Sequence, residues 1–280
     1  MIPQRNLSLL SNRLARVGGR RIPEAVLERD YCLAWFLVGL SRSDLRERLA
    51  FKGGTALKRC YFGDYRFSED LDFTLAEEWP LDPILAGLEE VYERVRLASG
   101  VAFRYARAAR KQHRNSHTFY LAYEGPLPAE SAREVKVDIT IRERFVCELA
   151  ERPILRGYDE YADLPEDGSI RAYALDEIAV EKVAALTDRA RHEPRDLYDI
   201  WYLTSGGHVD LATLVQEIDS KLEFRGRTRA GMTEELAKKE ARYRKLWSAR
   251  LAAQMAELPP FDEVYRAACR TLRAAGLLDP

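Results

Sequence analysis

Apolar residues recur three and four positions apart toward both ends of the chain, whereas much of the middle alternates apolar and polar residues. The first spacing places apolar side chains on one face of a helix, and the second places them on one face of a strand. Paired glycines and prolines interrupt the helical pattern, so they mark where predicted helices end. The predicted helical stretches are residues 7–17, 22–40, 43–50, 82–99, 175–205 with a His-Glu-Pro break at residues 192–194, and 211–278 with an interruption at Pro259-Pro260.

Strands are predicted where the period of two is clearest. Leu71, Phe73 and Leu75 alternate with polar residues and predict a strand that follows a polar loop. Similar alternation predicts three further strands, over residues 101–106, 118–123 and 134–141.

The order of these elements indicates the fold class. A mixed region between helical ends is typical of an α+β protein and differs from the regular β-α alternation of a doubly wound sheet. We therefore predict a helical N-terminal segment over residues 1–50, an α/β core over residues 51–174 and a helical C-terminal domain over residues 175–280.

Charge is abundant but balanced in this chain. It has 280 residues, with 44 Lys and Arg against 45 Asp and Glu, and 46% of its residues are hydrophobic. This composition excludes a uniformly polybasic protein and argues against wholesale disorder. No run approaches the roughly 20 apolar residues of a membrane-spanning helix, and the basic N-terminal stretch lacks the apolar segment of a signal peptide. We therefore expect a cytoplasmic protein without a membrane partner.

Asp70 immediately precedes the strand predicted to begin at Leu71, and Asp72 lies within that strand. Asp70 and Asp72 are two residues apart, so their side chains project to one face while Leu71 and Phe73 point into the core. Adjacent carboxylates repel each other unless a cation neutralises them, and Mg²⁺ accepts such oxygen ligands. If the strand that contains Asp138 pairs beside this one, three carboxylates converge, as a two-metal site for phosphoryl or nucleotidyl displacement requires. Outward-facing aspartates on amphipathic strands are the alternative.

A glycine pair precedes these carboxylates. Gly53, Gly54 and Thr55 lie where a loop becomes a helix. Two glycines let backbone amides approach an anion, Thr55 can cap the helix, and a helix N-terminus favours phosphate. A plain N-cap turn is the alternative.

Arg66 and Ser68 lie between the glycine pair and the carboxylates. Arg66 is a candidate for binding a triphosphate oxygen, with a salt bridge to Glu69 as the alternative. Ser68 is adjacent enough to the carboxylates to be counted with the same candidate nucleotide site.

The helical region contributes a third group of charges. Lys182 follows several acids on one predicted helix, and Asp196 and Asp199 are three apart on the next, so they share a face. A lysine here can neutralise nucleotide phosphates as a point charge. A solvated lysine with helical ion pairs is the alternative.

Two basic stretches, residues 103–115 and 221–250, depart from the neutral average. Clustered cations with interleaved aromatic residues suit a phosphate backbone and unpaired bases. For the second stretch, a solvated helix face is an equal alternative. The candidate nucleic-acid-binding residues are Arg104, Arg107, Arg110, Lys111, Arg225, Arg227 and Arg229.

Four segments occur in an order that resembles the AbiEii/AbiGii-type toxin nucleotidyltransferases of toxin–antitoxin and abortive-infection loci: KGGTALKRCYFGDYRFSEDLDFTL, KVDIT, DEIAVEKVAAL and PRDLYDIWYL. The similarity spans residues 51–203. It implies a DNA polymerase β-like nucleotidyltransferase core, with a mixed sheet and flanking helices. It also implies transfer from an NTP with Mg²⁺ or Mn²⁺, RNA and notably tRNA 3′ ends as acceptor, and a cognate antitoxin as partner.

The resemblance also implies roles for individual residues. Gly53, Gly54 and Thr55 resemble the family's glycine motif, which reads GGT here. Lys182 resembles the motif lysine that contacts nucleotide phosphates. The acidic positions resemble the metal-binding pair, Asp70 and Asp72, a third metal-site carboxylate, Asp138, and the fourth-motif aspartate, Asp196 or Asp199.

The resemblance therefore implies a toxin that adds nucleotides to RNA and blocks translation. One alternative is a nucleotidyltransferase that modifies a protein or a small molecule. Another is a catalytically idle protein that binds nucleic acid or an antitoxin.

Overall fold

The computed structural model describes residues 1–111, 113–128 and 133–279. The chain divides into two compact units. The first comprises Met1–Glu143, Leu149–Ala172 and Gln254–Ala256. The second comprises Arg144–Glu148, Tyr173–Ala253 and Glu257–Pro280.

A mixed sheet forms the centre of the first unit. In the described part of the chain it has seven strands in the order β3-β4-β5-β2-β1-β7-β6. The α+β prediction is therefore confirmed. The strands are β1 (Leu49–Lys52), β2 (Leu71–Leu75), β3 (Ala102–Ala108), β4 (Ser116–Glu124), β5 (Arg133–Thr140), β6 (Leu149–Pro153) and β7 (Ser169–Tyr173).

Helices of the first unit pack with this sheet and with each other. Trp35, Phe36 and Leu37 belong to an apolar helix that is buried over most of its length, because nearly every side of it contacts other elements. The helices are α1 (Gln4–Gly18), α2 (Glu24–Ser41), α3 (Gly53–Ala56) and α4 (Leu81–Ser99). A 3₁₀ turn covers Asp44–Glu47, and a π-helical turn over Leu57–Tyr61 continues α3.

The position of β2 in the sheet confirms that the strand of Asp72 pairs beside the strand of Asp138. It pairs antiparallel with β1 and parallel with β5, so the strands that carry Asp72 and Asp138 are neighbours. Phe51, Phe73 and Ile139 form buried positions on these three strands. Since side chains alternate along a strand, this apolar face leaves the intervening polar residues on the other face.

The prediction of a helical turn over residues 43–50 is wrong at its end. The helical part stops at Glu47, and Leu49 and Ala50 belong to β1. Leu49, Ala50 and Phe51 are all buried, so this short strand lacks the polar alternation that identifies a half-exposed strand. β6 and β7 were also not predicted from the sequence, because they are short and contain charged residues.

The second unit is largely helical, as predicted for the C-terminal region. Gly206-Gly207 and Pro259-Pro260 separate helices as predicted, and residues 187–193 separate two helices next to the predicted His-Glu-Pro break. Residues 225–231 also separate two helices, so the prediction of a helical stretch that is interrupted only at Pro259-Pro260 is wrong there. Its helices are α5 (Leu175–Leu186), α6 (Pro194–Ser205), α7 (Val215–Phe224), α8 (Met232–Leu251) and α9 (Phe261–Ala274). Among the described residues of either unit, no helix has both the length and the apolar character needed to cross a membrane.

Candidate active site

A row of polar side chains crosses the sheet of the first unit. Lys52 on β1 lies opposite Asp72 on β2, and Asp72 lies opposite Asp138 on β5. Thr118 on β4 lies opposite Asp138 in turn. Residues directly opposite each other share one face of a sheet. The expected convergence of the two carboxylate strands is therefore present in the structure.

In this row the ionised form of Asp72 is destabilised by burial and by the neighbouring carboxylates when no cation neutralises them. Burial, together with the charges of Asp70 and Asp138, raises the pKa of Asp72 from 3.8 to about 6, while the Lys52 charge opposes this rise. Lys136 Nζ lies 2.8 Å from Asp138 Oδ2, and Thr118 Oγ1 donates a hydrogen bond to the same oxygen at 3.4 Å. Negative charge is thus concentrated beside two lysines.

The donor set is suited to a hard divalent cation. Asp70, Asp72 and Asp138 offer carboxylate oxygens, the ligands that Mg²⁺ prefers, and the raised pKa of Asp72 indicates that more positive charge would stabilise its ionised form. Within the described ranges, no group of three or more His, Cys, Asp or Glu residues has the arrangement of a metal-binding cluster. The carboxylates therefore fit a metal by their chemistry, and their ligation of it stays a prediction.

The glycine pair lies against this acidic row. Gly53 has a φ of 78°, and a Cβ added to it would lie 2.7 Å from Asp72 Oδ2. A Cβ added to Gly54 would lie 2.7 Å from Arg66 Nη2 and 3.2 Å from Ser68 Oγ. The structure thus brings together the predicted glycine motif, one predicted metal-binding carboxylate and both residues predicted to accompany them.

Thr55 does not cap the helix, contrary to the sequence prediction. The N-cap position of α3 is Lys52, without a side-chain capping bond. Thr55 lies within α3, and its Oγ1 donates to the backbone carbonyl of Asp70 at 2.5 Å. Thr55 therefore ties the glycine turn to the carboxylate segment.

Arg66 is held by a residue that the sequence analysis did not identify. Its Nη1 donates to Gln254 Oε1 at 3.1 Å, and the Phe67 amide donates to the Gln254 carbonyl at 2.7 Å. Gln254 is buried, and it belongs to the short segment between α8 and α9 that is part of the first unit. Glu69, the alternative partner considered for Arg66, lies 3.6 Å from Arg29.

Lys182, Asp196 and Asp199, the residues predicted to belong to the family's motifs, form a buried ionic cluster in the second unit. Lys182 Nζ on α5 lies 2.8 Å from Asp196 Oδ1 and 2.6 Å from Asp199 Oδ2, both on α6. Arg191 Nε lies 2.5 Å from Asp196 Oδ2. Although burial alone would raise it, the charges of Lys182 and Arg191 lower the pKa of Asp196 to about 2. Both candidates for the fourth-motif aspartate therefore contact the motif lysine.

The predicted nucleic-acid-binding arginines fall into two groups. Three in the second unit form ion pairs: Arg225 with Glu181, Arg227 with Asp188 and Arg229 with Asp219. In the first unit Arg107 pairs with Glu134. The side chains of Arg104, Arg110 and Lys111 are exposed and form no ion pair with a carboxylate that the structure describes.

Gly53→Ala is expected to lower both stability and activity. The substitution combines a left-handed backbone conformation with a contact of 2.7 Å to Asp72 Oδ2, so Asp72 has to move. We expect a loss of about 2–4 kcal/mol in the free energy of unfolding. Gly19→Ala is the matched control, because Gly19 has the same φ of 78° but nothing within 4 Å of an added Cβ. Chemical denaturation measures the difference; equal losses in the two variants would contradict the close approach to Asp72.

Comparisons with known proteins identify the fold and the family of this chain. The family model described as nucleotidyl transferase AbiEii toxin, type IV TA system, matches residues 35–267. A protein of H. pylori assigned as a nucleotidyltransferase superposes with a TM-score of 0.56 at 18% identity, covering 91% of this chain and 96% of that one. MenT4, a nucleotidyltransferase toxin of Mycobacterium tuberculosis H37Rv, superposes with a TM-score of 0.56 at 18% identity, covering 96% of this chain and 90% of that one. No curated protein matches the sequence.

The two structural likenesses support the fold, whereas the family match spans most of the sequence and includes every motif described above. The chain is a nucleotidyltransferase and belongs to the AbiEii family of toxins from type IV toxin–antitoxin systems.

Proposed function

We propose that this protein transfers a nucleotide from an NTP to RNA, with tRNA 3′ ends as the expected acceptor, and thereby blocks translation until a cognate antitoxin counteracts it. The cytoplasm, where NTPs and RNA are present, is its proposed place of action. The observation that carries the proposal is the contact between the glycine turn and the row of Asp72 and Asp138. This arrangement supports the proposal because the turn is a candidate for binding an anion and the carboxylates beside it would be stabilised by a cation.

Each group of this row has a chemical role in the proposed reaction. Asp70 and Asp72 would hold Mg²⁺ or Mn²⁺, which supplies positive charge to the phosphates when bound. Backbone amides of Gly53 and Gly54 would bind phosphate oxygens, and the absence of side chains at these positions lets Asp72 and Arg66 lie close to the turn. Asp138 accepts the proton of the attacking hydroxyl.

Arg66 and Ser68 extend the proposed phosphate site. The guanidinium group of Arg66 lies beside Gly54, and Gln254 fixes its orientation. An oriented guanidinium group forms directed hydrogen bonds to phosphate oxygens. Ser68 Oγ, on the same side of Gly54, provides a hydroxyl donor.

Lys182 has a proposed role of the kind that the family resemblance implies, neutralising nucleotide phosphates. Two buried carboxylates hold its ammonium group in place, and Asp196 is itself oriented by Arg191. Such a fixed positive charge suits electrostatic stabilisation of a transition state because little reorganisation is needed.

The proposed RNA-binding surface is centred on the first basic stretch. Arg104, Arg110 and Lys111 are exposed and lack described carboxylate partners, so their charges are available to a polyanion. Arg225, Arg227 and Arg229 would first have to exchange their carboxylate partners for phosphate. We therefore assign them a smaller share of RNA binding.

The test is incorporation of labelled nucleotide into a mixture of total RNA and cellular protein in the presence of Mg²⁺. We expect label in RNA with wild-type protein and a loss of at least about 10²-fold with Asp70→Ala. Asp82→Ala, an exposed position at the start of α4, is the control and should retain activity. Label in protein, or equal RNA labelling by Asp70→Ala, would contradict the proposal.

A further inference from the structure

A cavity of about 280 Å³ lies beside Asp138 in the first unit. It is formed by β3, β4 and β5 and by residues 109–111 and His113, which lie between β3 and β4. This volume is slightly below the roughly 300 Å³ at which pockets for whole small molecules begin. The cavity is therefore suited to a single monomer of a longer polymeric ligand. The residues that determine its character are Arg107, Arg110, Lys111, Tyr120, Lys136 and Asp138.

The register of the sheet places this cavity on a defined side of the carboxylates. The glycine turn follows β1, on one side of β2, whereas β5 and β4 lie on the other side. Arg107, Tyr120 and Lys136 occupy opposite positions on β3, β4 and β5 and share the face of Asp138. The polar face therefore continues from the glycine turn, across Asp72 and Asp138, to the cavity.

An in-line displacement gives different roles to the two sides of the row formed by Asp72 and Asp138. The attacking oxygen and the leaving pyrophosphate lie on opposite sides of the reacting phosphorus. If the glycine turn holds the triphosphate, the attacking hydroxyl approaches from the side of Asp138. The cavity is on that side.

The cavity has the charge that a nucleic-acid end requires. Its described lining contains four Lys and Arg residues against the single carboxylate of Asp138. Arg110 and Lys111 are exposed beside it and form no ion pair with a described carboxylate. They are available to a phosphodiester.

Arg107 gives the cavity a flat, fixed wall. Its guanidinium group lies 3.8 Å from the centre of the Tyr120 ring. Hydrogen bonds from Nε and Nη2 to Glu134 hold it in that plane, and the side chain is still 46% exposed. Arginine planes held in this way stack on unpaired bases.

We propose that this cavity binds the last nucleotide of a single-stranded RNA acceptor, with its base on Arg107, its phosphate at Arg110 and Lys111, and its 3′ hydroxyl at Asp138. The assignment rests on the proposed function, and it selects a nucleic-acid end over a protein or a small molecule as acceptor. Lys136, now paired with Asp138, gains the incoming phosphate as a second partner.

The proposed group-transfer step accounts for each bond that breaks and each bond that forms. The 3′ O–H bond breaks and its proton passes to the Asp138 carboxylate. The 3′ oxygen forms a bond to the α-phosphorus of the NTP. The bond between the α-phosphorus and the bridging oxygen breaks, and pyrophosphate leaves with that electron pair.

The test is binding of a short single-stranded RNA, labelled at its 5′ end, without NTP or metal and followed by fluorescence anisotropy. Wild-type protein should bind RNA with a 3′ hydroxyl about tenfold more tightly than the same RNA with a 3′ phosphate, because the added phosphate meets Asp138. Asp138→Asn should reduce this difference to about twofold. Equal affinities for both ends in the wild type would overturn the proposal.

Charge-reversal variants test whether the RNA phosphate binds at Arg110 and Lys111. Arg110→Glu and Lys111→Glu should each weaken binding of the hydroxyl-ended RNA by about tenfold while the affinity for a non-hydrolysable NTP stays within about twofold. Arg94→Glu, an exposed charge reversal on α4, is the control and should leave both affinities unchanged. Wild-type RNA affinity in both variants, or an equal loss of NTP affinity, would overturn the assignment.

The outcomes separate this inference from the proposed function. Transfer to RNA by a protein that binds both RNA ends equally would leave the proposed function standing and remove the cavity assignment. Discrimination between the two ends by a protein that transfers nothing to RNA would support the cavity and contradict the proposed function.

Discussion

Asp72→Asn is expected to reduce nucleotide transfer by at least about 10³-fold while making the metal-free protein more stable. Asp72 lies between Lys52 and Asp138 in the sheet and is the carboxylate closest to Gly53. Its burial beside two other carboxylates makes the ionised form costly in the absence of a cation. Asparagine keeps the shape of the side chain and removes both the charge and the proposed metal ligand.

The stability effect has a defined pH dependence. In the folded protein the pKa of Asp72 is raised from 3.8 to about 6. Between these values the folded state binds more protons than the unfolded state, so the contribution of Asp72 to stability falls as the pH rises. Above pH 6 the penalty is complete, on the order of 1–3 kcal/mol.

Thermal unfolding without divalent metal measures this penalty. The stability advantage of Asp72→Asn over the wild type should grow as the pH rises through this window and then level off. Asp167→Asn, at a position whose side chain is 75% exposed, is the matched control and should show no such trend. A variant that is less stable than the wild type at neutral pH would contradict the electrostatic account of this row.

Lys182→Ala is expected to lower the free energy of unfolding by about 3–5 kcal/mol as well as to reduce activity. The side chains of Asp196 and Asp199 are 2% and 0% exposed, and both lie within hydrogen-bond distance of the Lys182 ammonium. Its removal leaves two buried negative charges with less compensation. Lys238→Ala is the control: this lysine is 65% exposed and pairs with Glu235, so we expect a change of at most about 1 kcal/mol.

A double variant separates the structural role of Lys182 from a catalytic one. In Lys182→Ala/Asp199→Asn one of the buried charges is absent, so chemical denaturation should show that a large part of the lost stability returns. Nucleotide transfer should stay low, because the positive charge is still missing. Recovery of both stability and transfer would contradict a direct contribution of Lys182 to the reaction.

The sequence predicted best those features that depend on local periodicity. Alternation around Asp72 and Asp138 identifies β2 and β5 and places both carboxylates on polar faces. The glycine turn was recognisable because only glycine tolerates the φ of Gly53 and its closeness to Asp72. By contrast, β1 was missed because its buried residues, Leu49 to Phe51, show no polar alternation.

Features that depend on tertiary contacts were not predictable from the chain. Gln254 lies 188 residues from Arg66 in sequence, and nothing in its local pattern indicates their hydrogen bond. The same holds for Arg225, whose partner Glu181 is 44 residues away on another helix. A run of basic residues predicts local charge, but only the fold determines which of those charges already have partners.

The carboxylate row of the first unit is expected to support nucleotidyl transfer to RNA. The most direct measurement compares one RNA acceptor incubated, with Mg²⁺, with NTP labelled at the α-phosphate or at the γ-phosphate. We expect the α-label to enter RNA and the γ-label to be released in pyrophosphate, and we expect Asp72→Asn to abolish both. Transfer of the γ-label to RNA, or undiminished α-label in RNA with Asp72→Asn, would contradict it.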